Sequence, residues 1–237
     1  MLILRDTDAA AAPAQRSVVT IGAYDGVHKG HRAVIAHVQA EAKRLGCQGV
    51  VVTFDRHPAS VVRPESAPKL LTDSDQKIEL LAGTGIDATF MVHFDEAASK
   101  EDPAAFVKRV LVDALGAKLI VVGEDFHFGY KRGGNVAMLR ELGKQFDFEV
   151  VPMQLVPRPD GVAEPVSSTA IRRALAGGQV EVAQQLLGRP FSVRGVVVNG
   201  DKRGRTIGFP TANTEVSNQM CLPADGVYAG MFTCADG

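Results

Sequence analysis

Five short runs rich in Val, Ile and Phe constrain this chain most: "SVVTIG" (17–22), "GVVVTF" (49–54), "ATFMVHF" (88–94), "KLIVVG" (118–123) and "FEVVPM" (148–153). Each is almost continuously apolar, the pattern of a strand covered on both faces rather than one with a wet side. Stretches with helical spacing separate them. Val34, Ile35, Val38, Ala42 and Leu45 form one apolar stripe, and Gly46 offers a stop. Residues 72–85 open polar and turn apolar, Asp102 and Pro103 start a segment that Gly116 closes, and 135–146 is a fourth candidate. This alternation predicts an α/β fold with a parallel sheet of about five strands and right-handed crossovers.

The pattern changes after residue 155. A loop carrying Pro157, Pro159 and Pro165 leads to two helix candidates, 168–178 and 179–188. From Arg189 onward, "FSVRGVVVNG", "NTEVSNQM" and "GVYAGMFT" read as strands between turns, with no helical stripe. A boundary near 187 divides the chain into 1–187 and 188–237. The second part is too short for a comfortable independent β domain and is expected to be incomplete. No internal repeat is evident, and the Ala run at 9–12 reads as frayed.

Hydrophobic residues make up 46% of the 237, enough for a substantial core, and 26 basic against 27 acidic residues leave a net charge of −1. That balance gives no reason to expect a general nucleic-acid binder. No apolar run is long enough to span a membrane, and the start "MLILRD" lacks the long apolar segment of a signal peptide. Cys47, Cys221 and Cys234 have no metal-type spacing, which fits a reducing compartment. The expectation is a soluble cytoplasmic protein with small-molecule partners.

The first strand runs into "GAYDGVHKGH" and then at once into an amphipathic helix. In an open parallel sheet, ligands bind beyond the carboxyl ends of the strands. Gly22 and Gly26 allow close backbone approach, and a helix N-terminus presents free N–H groups to an anion. His28, Lys29 and His31 can add donors. The stretch therefore reads as a polyphosphate cradle, although neither G-x-x-x-x-G-K-[ST] nor G-x-G-x-x-G is present. Two histidines without an obvious third ligand make a poor zinc site; a plain polar turn stays open. His37 reads as a boundary side chain and His93 as a packed strand residue.

"HKGH" resembles the H-x-G-H motif of the nucleotidyltransferase superfamily, and "GAYDGVHKGH" is similar to the G-x-F-D-G-V-H-x-G-H signature of bacterial bifunctional riboflavin kinase/FAD synthetases (FMN adenylyltransferases). Three more stretches resemble that family in order: "VVTFDRHPASVV", "VVGEDFHFGYKRGG" and "VSSTAIRRAL". Departures are Ala23, Tyr24 in place of Phe, and Arg56 in place of a proline. "RGRTIGFPTANTEV" is similar to the riboflavin kinase signature.

The resemblance implies a Rossmann-like nucleotidyltransferase domain followed by an incomplete riboflavin kinase-like β-barrel. The implied reaction moves AMP from ATP to FMN, giving FAD and pyrophosphate, with Mg²⁺ accompanying ATP. Implied catalytic contacts are His28, His31 and Arg172, with Ser167, Ser168 and Thr169 on the β and γ phosphates. Gly22, Asp25 and Gly26 shape the loop; Phe54, His57, Asp125, Phe126 and Phe128 shape the flavin side or adenine contacts. In the second part, Gly208 and Pro210 shape a turn and Thr211 and Asn213 meet ATP phosphate and Mg²⁺. The family's catalytic glutamate has no counterpart here, so riboflavin phosphorylation is expected of a longer parent and not of this chain. Another small-molecule nucleotidyltransferase, or a non-catalytic flavin- or nucleotide-binding module, are the alternatives.

Overall fold

The β-branched runs assemble into one sheet, and the helices between them cover both of its faces. The computed structural model describes residues 1–6, 15–201, 203–209 and 211–234; Pro210 and the Ala9–Ala12 run lie outside them. In chain order the elements are β1 (Leu2–Arg5), β2 (Ser17–Ile21), α1 (Lys29–Leu45), β3 (Gln48–Phe54), α2 (Pro58–Val62), α3 (Ser74–Ala82), β4 (Ala88–Val92), α4 (Glu96–Ser99) and α5 (Pro103–Phe106). There follow β5 (Ala117–Gly123), β6 (His127–Phe128), β7 (Gly134–Asn135), α6 (Val136–Phe146), β8 (Glu149–Met153), α7 (Ser168–Ala176), α8 (Val180–Leu187), β9 (Val196–Val198), α9 (Arg203–Thr206) and β10 (Asn213–Glu215).

The main sheet has six strands in the order β1-β4-β3-β2-β5-β8, and every pairing is parallel. The five expected strands are joined by β1, which docks on the edge beside β4 with most of its residues exposed. Side chains alternate between two cores. Val19, Ile21, Val50, Val52, Ile120 and Val122 face Val107, Leu111 and Leu139. Val18, Val51, Leu119 and Val121 face Ile35 and Val38 of α1 and Leu81 of α3. This period of two on doubly covered strands explains why the sequence runs look continuously apolar. The chain moves outward from β2 through β3 to β4, then returns to place β5 on the other side of β2. The switch point therefore opens beyond the carboxyl ends of β2 and β5.

The helix expected after Pro103 begins as α5 but continues over Val107–Ala114 as a π-helix. A third core joins α7 and α8, where Ile171, Leu175, Leu186 and Leu187 are buried with Leu71 and Cys221.

Beyond Arg189, β9 and β10 form an open antiparallel ribbon, with Val196 at 70% and Val197 at 55% exposure. The strand expected over "GVYAGMFT" is absent among the described residues. A strand without a neighbour cannot satisfy its backbone groups, and here none pairs with it. The segment around Met220 instead clamps onto the loop after a short 3₁₀ turn at Pro64–Ser66, with Leu70 N donating to Gln219 O (2.8 Å) and Cys221 N to Leu70 O (2.7 Å). His93 also differs from expectation. It lies just past β4, largely exposed, with Nδ1 2.7 Å from the Asp55 carboxylate.

Candidate active site

The loop 22–28 leaves the carboxyl end of β2 and is held in an unusual conformation. Tyr24 (φ 51°), Gly26 (φ 83°) and Val27 (φ 38°) are all left-handed. For a β-branched residue such as Val27 this is real strain, of order 1–3 kcal/mol, and it persists only where the surroundings over-determine the backbone. They do so here. Thr53 Oγ1 donates to Ala23 O (3.1 Å), Ser168 Oγ to Asp25 O (2.9 Å), Val27 N to Tyr24 O (3.2 Å) and Arg189 Nη2 to Gly26 O (2.8 Å). Gly26 N donates to Thr72 Oγ1 (3.1 Å), and a Cβ at Gly26 would come 2.9 Å from Leu71 Cδ1.

Asp25 is the buried anchor of this arrangement. Its carboxylate accepts from Leu71 N (2.9 Å) and Thr72 N (3.1 Å) and pairs with the Arg172 guanidinium of α7. Arg172 also donates to Lys69 O. One carboxylate thus ties the histidine loop to the 69–72 loop and to the "SSTAIR" helix.

His28 caps α1, its Nδ1 accepting from His31 N at 3.3 Å. The neutral ring therefore keeps its proton on Nε2, which stays available as a donor. His31 stacks on His28 with ring centroids 3.6 Å apart, and Tyr24 packs on its other side at 4.7 Å. The Tyr24 hydroxyl is 2.8 Å from Thr20 Oγ1, so the tyrosine that stands for phenylalanine gains a buried partner. The absent side chain of Gly30 makes room for this stack: a Cβ there would lie 3.1 Å from His28 Cε1 and 3.3 Å from Val166 O. His31 Nδ1 is buried and has no hydrogen-bond partner among the described residues. Burial first, then the charges of Arg172 and Arg189, pull His28 down to about 4. Burial, and then His28, hold His31 well below its ordinary range. Both rings are therefore neutral at pH 7, each carrying one N–H that can donate.

Beside this loop lies an open cavity of about 780 Å³, lined by Gly22 and Ala23, by Phe54, His57 and Val61, and by Phe106, Phe126 and Phe128. Phe126 and Phe128 stack at 5.5 Å. His57 caps α2, with Nδ1 accepting from Ala59 N at 3.1 Å. With Ala23 it also lines a polar recess of about 40 Å³ that contains Asp25, Thr72 and Lys77. Lys77 is buried, donates to Phe54 O at 2.6 Å, and is drawn down to about 8 by burial.

The structure brings together Gly22, Asp25, Gly26, His28, His31, Ser168 and Arg172 around the loop, and Gly22, Phe54, His57, Phe126 and Phe128 around the cavity. Ser167 is the N-cap of α7, accepting from Ala170 N at 3.1 Å, and Thr169 is exposed in its first turn. Asp125 is exposed and outside the cavity lining. Lys29 is exposed, its aliphatic stem beside Gly188. Gly208 (φ 83°), Thr211 and Asn213 are exposed on or near the β9–β10 ribbon. Sequence reading missed Thr72, Lys77 and Arg189. Thr72 and Lys77 carry no motif, and Arg189 looks like part of a Gly-Arg-Pro turn.

The FAD synthetase family model matches residues 10–170, and the riboflavin kinase family model matches residues 187–237. The chain belongs to the bifunctional riboflavin kinase/FMN adenylyltransferase family. The Escherichia coli (strain K12) bifunctional riboflavin kinase/FMN adenylyltransferase is 39% identical over 218 residues, covering 92% of this chain and 68% of that protein. Its Listeria monocytogenes counterpart is 42% identical, over 91% of this chain and 67% of that protein. A solved Streptococcus pneumoniae structure, described as a macrolide-efflux protein, superposes with a TM-score of 0.82 at 31% identity, covering 96% of this chain and 73% of that one. Among the described residues, no helix is long and apolar enough to cross a membrane. A pantoate-beta-alanine ligase from Francisella tularensis shares the fold alone, with a TM-score of 0.50 at 16% identity. The family's motif loops occupy the carboxyl ends of β2, β3 and β5, as the switch-point rule requires.

Proposed function

We propose that this chain transfers AMP from ATP to FMN, giving FAD and pyrophosphate. The observation that carries the reading is a junction. The cavity, lined by phenylalanines and by charged residues such as Lys100, Glu101 and Arg132, shares Gly22 with the histidine loop, and His57 and Ala23 connect it to the recess holding Asp25. A planar flavin ring fits the cavity by size and lining, and its phosphate would then reach toward the loop.

An oxygen of the FMN phosphate attacks the α-phosphorus of ATP; the bond from that phosphorus to the bridging oxygen breaks, and pyrophosphate leaves with its electron pair. A phosphate ester with a second pKa near 6 is mostly dianionic at neutral pH, so no strong general base is required. The work is alignment and charge stabilisation. His28 and His31 would offer Nε2–H groups to the transferring and leaving phosphates. Arg172 would face the β and γ phosphates, with the Ser167, Ser168 and Thr169 hydroxyls beside the α7 N-terminus. Phe54, His57, Phe126 and Phe128 would hold the flavin; the exposed position of Asp125 assigns it at most a rim contact.

Mg²⁺ would enter as the ATP complex. Among the described residues no group of three or more His, Cys, Asp or Glu could cage an ion; the cation would be held chiefly by nucleotide oxygens. The cysteines are free, which supports a cytoplasmic setting.

We place the functional boundary near residue 187. The described residues beyond it form an open ribbon rather than a closed barrel. Riboflavin phosphorylation by this chain is therefore not part of the reading, and turnover of riboflavin to FMN would overturn that exclusion.

The test is incubation of the chain with FMN, ATP and Mg²⁺ and chromatographic detection of FAD. FAD formation supports the reading. Binding of ATP without flavin binding would point to a different small-molecule acceptor, and binding of both without FAD to a non-catalytic module.

A further inference from the structure

Arg189 is the one side chain from beyond residue 187 that hydrogen-bonds the histidine loop among the described residues. Its Nη2 donates to Gly26 O at 2.8 Å and its Nη1 reaches Val27 O at 3.5 Å. Those two carbonyls belong to the left-handed pair, Gly26 at φ 83° and the strained Val27 at φ 38°, that sets the direction in which His28 leaves the loop. The neighbouring carbonyls of Ala23 and Asp25 are held by Thr53 and Ser168, from β3 and α7. Arg189 itself has no carboxylate within ion-pair distance among the described residues; its charged neighbour is Arg32. Arg172, by contrast, is neutralised by Asp25. A guanidinium that is half-buried and bonded only to neutral carbonyls is poorly compensated, and a polyphosphate arriving at His28 would offset its charge.

We propose that Arg189, supplied by the segment that the riboflavin kinase family model matches, is a positioning residue of the adenylyl-transfer site: it pins the Gly26–Val27 backbone so that His28 faces the nucleotide, and it holds a positive charge beside that histidine. The inference rests on the proposed AMP transfer for its kinetic consequences, but not for its effect on His28. The groups facing His28 are His31, Arg172 with its partner Asp25, and Arg189. Removing the Arg189 charge takes away one cause of the low His28 pKa, so His28 becomes easier to protonate.

The experiment compares wild type with Arg189→Gln and Arg189→Lys. His28 titration is followed by imidazole NMR in the full chain without substrates, its resonance assigned with His28→Asn. In Arg189→Gln the His28 pKa rises, and in Arg189→Lys it stays near that of wild type. Steady-state FAD synthesis then shows a loss of about 10- to 100-fold in kcat/KM for ATP in Arg189→Gln, with partial recovery in Arg189→Lys. An unchanged His28 titration together with unchanged kcat/KM in a folded Arg189→Gln chain overturns the proposal. If Arg189→Gln fails to fold, Arg189→Lys decides. Its guanidinium fork is gone but its charge is kept, so wild-type kcat/KM for ATP there contradicts the pinning role. Absence of FAD formation by the wild-type chain would instead count against the proposed reaction, leaving the NMR result to judge Arg189.

Discussion

The Asp25 carboxylate and the Arg172 guanidinium form a buried ion pair across 147 residues of sequence, with side-chain exposures of 6% and 16%. Asp25 also receives the Leu71 and Thr72 amides, so it is at once the counter-ion of Arg172 and the knot that joins two loops to α7. Its replacement by Ala strands a buried cation and two backbone donors. Asp25→Ala is expected to lose about 3–5 kcal/mol of unfolding free energy in urea titration. A loss below about 1 kcal/mol would mean the pair is effectively solvent-screened.

Stability should fall in acid because two histidines are buried neutral. His28 is lowered from its ordinary 6.5 to about 4, and His31 is lowered as well. Between those values the unfolded chain binds more protons than the folded one, so stability rises with pH across the window. The contribution is fully present above about pH 6.5 and is lost as pH falls toward 4, up to ~3 kcal/mol for His28 alone. Urea midpoints measured between pH 7 and pH 4 should drop for wild type and drop less steeply for His28→Asn. Equal slopes for the two would contradict the buried neutral ring.

Flavin and nucleotide recognition should separate by mutation. Phe54 lines the cavity and makes an edge-on contact with Phe94 at 5.3 Å, away from the histidine stack. Phe54→Ala is expected to weaken FMN binding by about five- to tenfold in fluorescence titration while leaving ATP affinity within about twofold. A matched loss for both ligands would show that the two subsites are not distinct.

Much of this architecture was legible in the chain. The five expected strands announced themselves as apolar runs, most clearly at Val50–Val52 and Leu119–Val122, which are covered on both faces. β1 did not: "LILR" is four residues on an exposed edge, too short to show a period. "GVYAGMFT" has the composition of a strand but no neighbour to pair with, and composition says nothing about partners. The histidine loop was legible as a motif, yet its strain at Val27 and its stack of Tyr24, His31 and His28 were not, since backbone dihedrals and ring contacts leave no local signature. The role of Asp25 as a knot, the burial of Lys77 and the reach of Arg189 all depend on contacts between segments far apart in sequence. Asp125 sits in a family-like motif, but the structure leaves it exposed and outside the cavity lining.

His31 should be separable from the fold. Its ring packs between His28 and Tyr24, but its Nδ1 makes no hydrogen bond that the folded chain would lose. His31→Ala is expected to keep the wild-type circular dichroism spectrum and to lower kcat for FAD synthesis by about 100-fold or more, the scale on which a lost transition-state donor acts. Near-normal turnover would remove His31 from the mechanism.

If the loop and cavity bring the FMN phosphate to the α-phosphorus of ATP, ATP labelled at its α-phosphorus should pass its label to the flavin. The label is expected to enter FAD in equal amount to the unlabelled pyrophosphate released. Label recovered only in ADP, or in AMP without FAD, would contradict it.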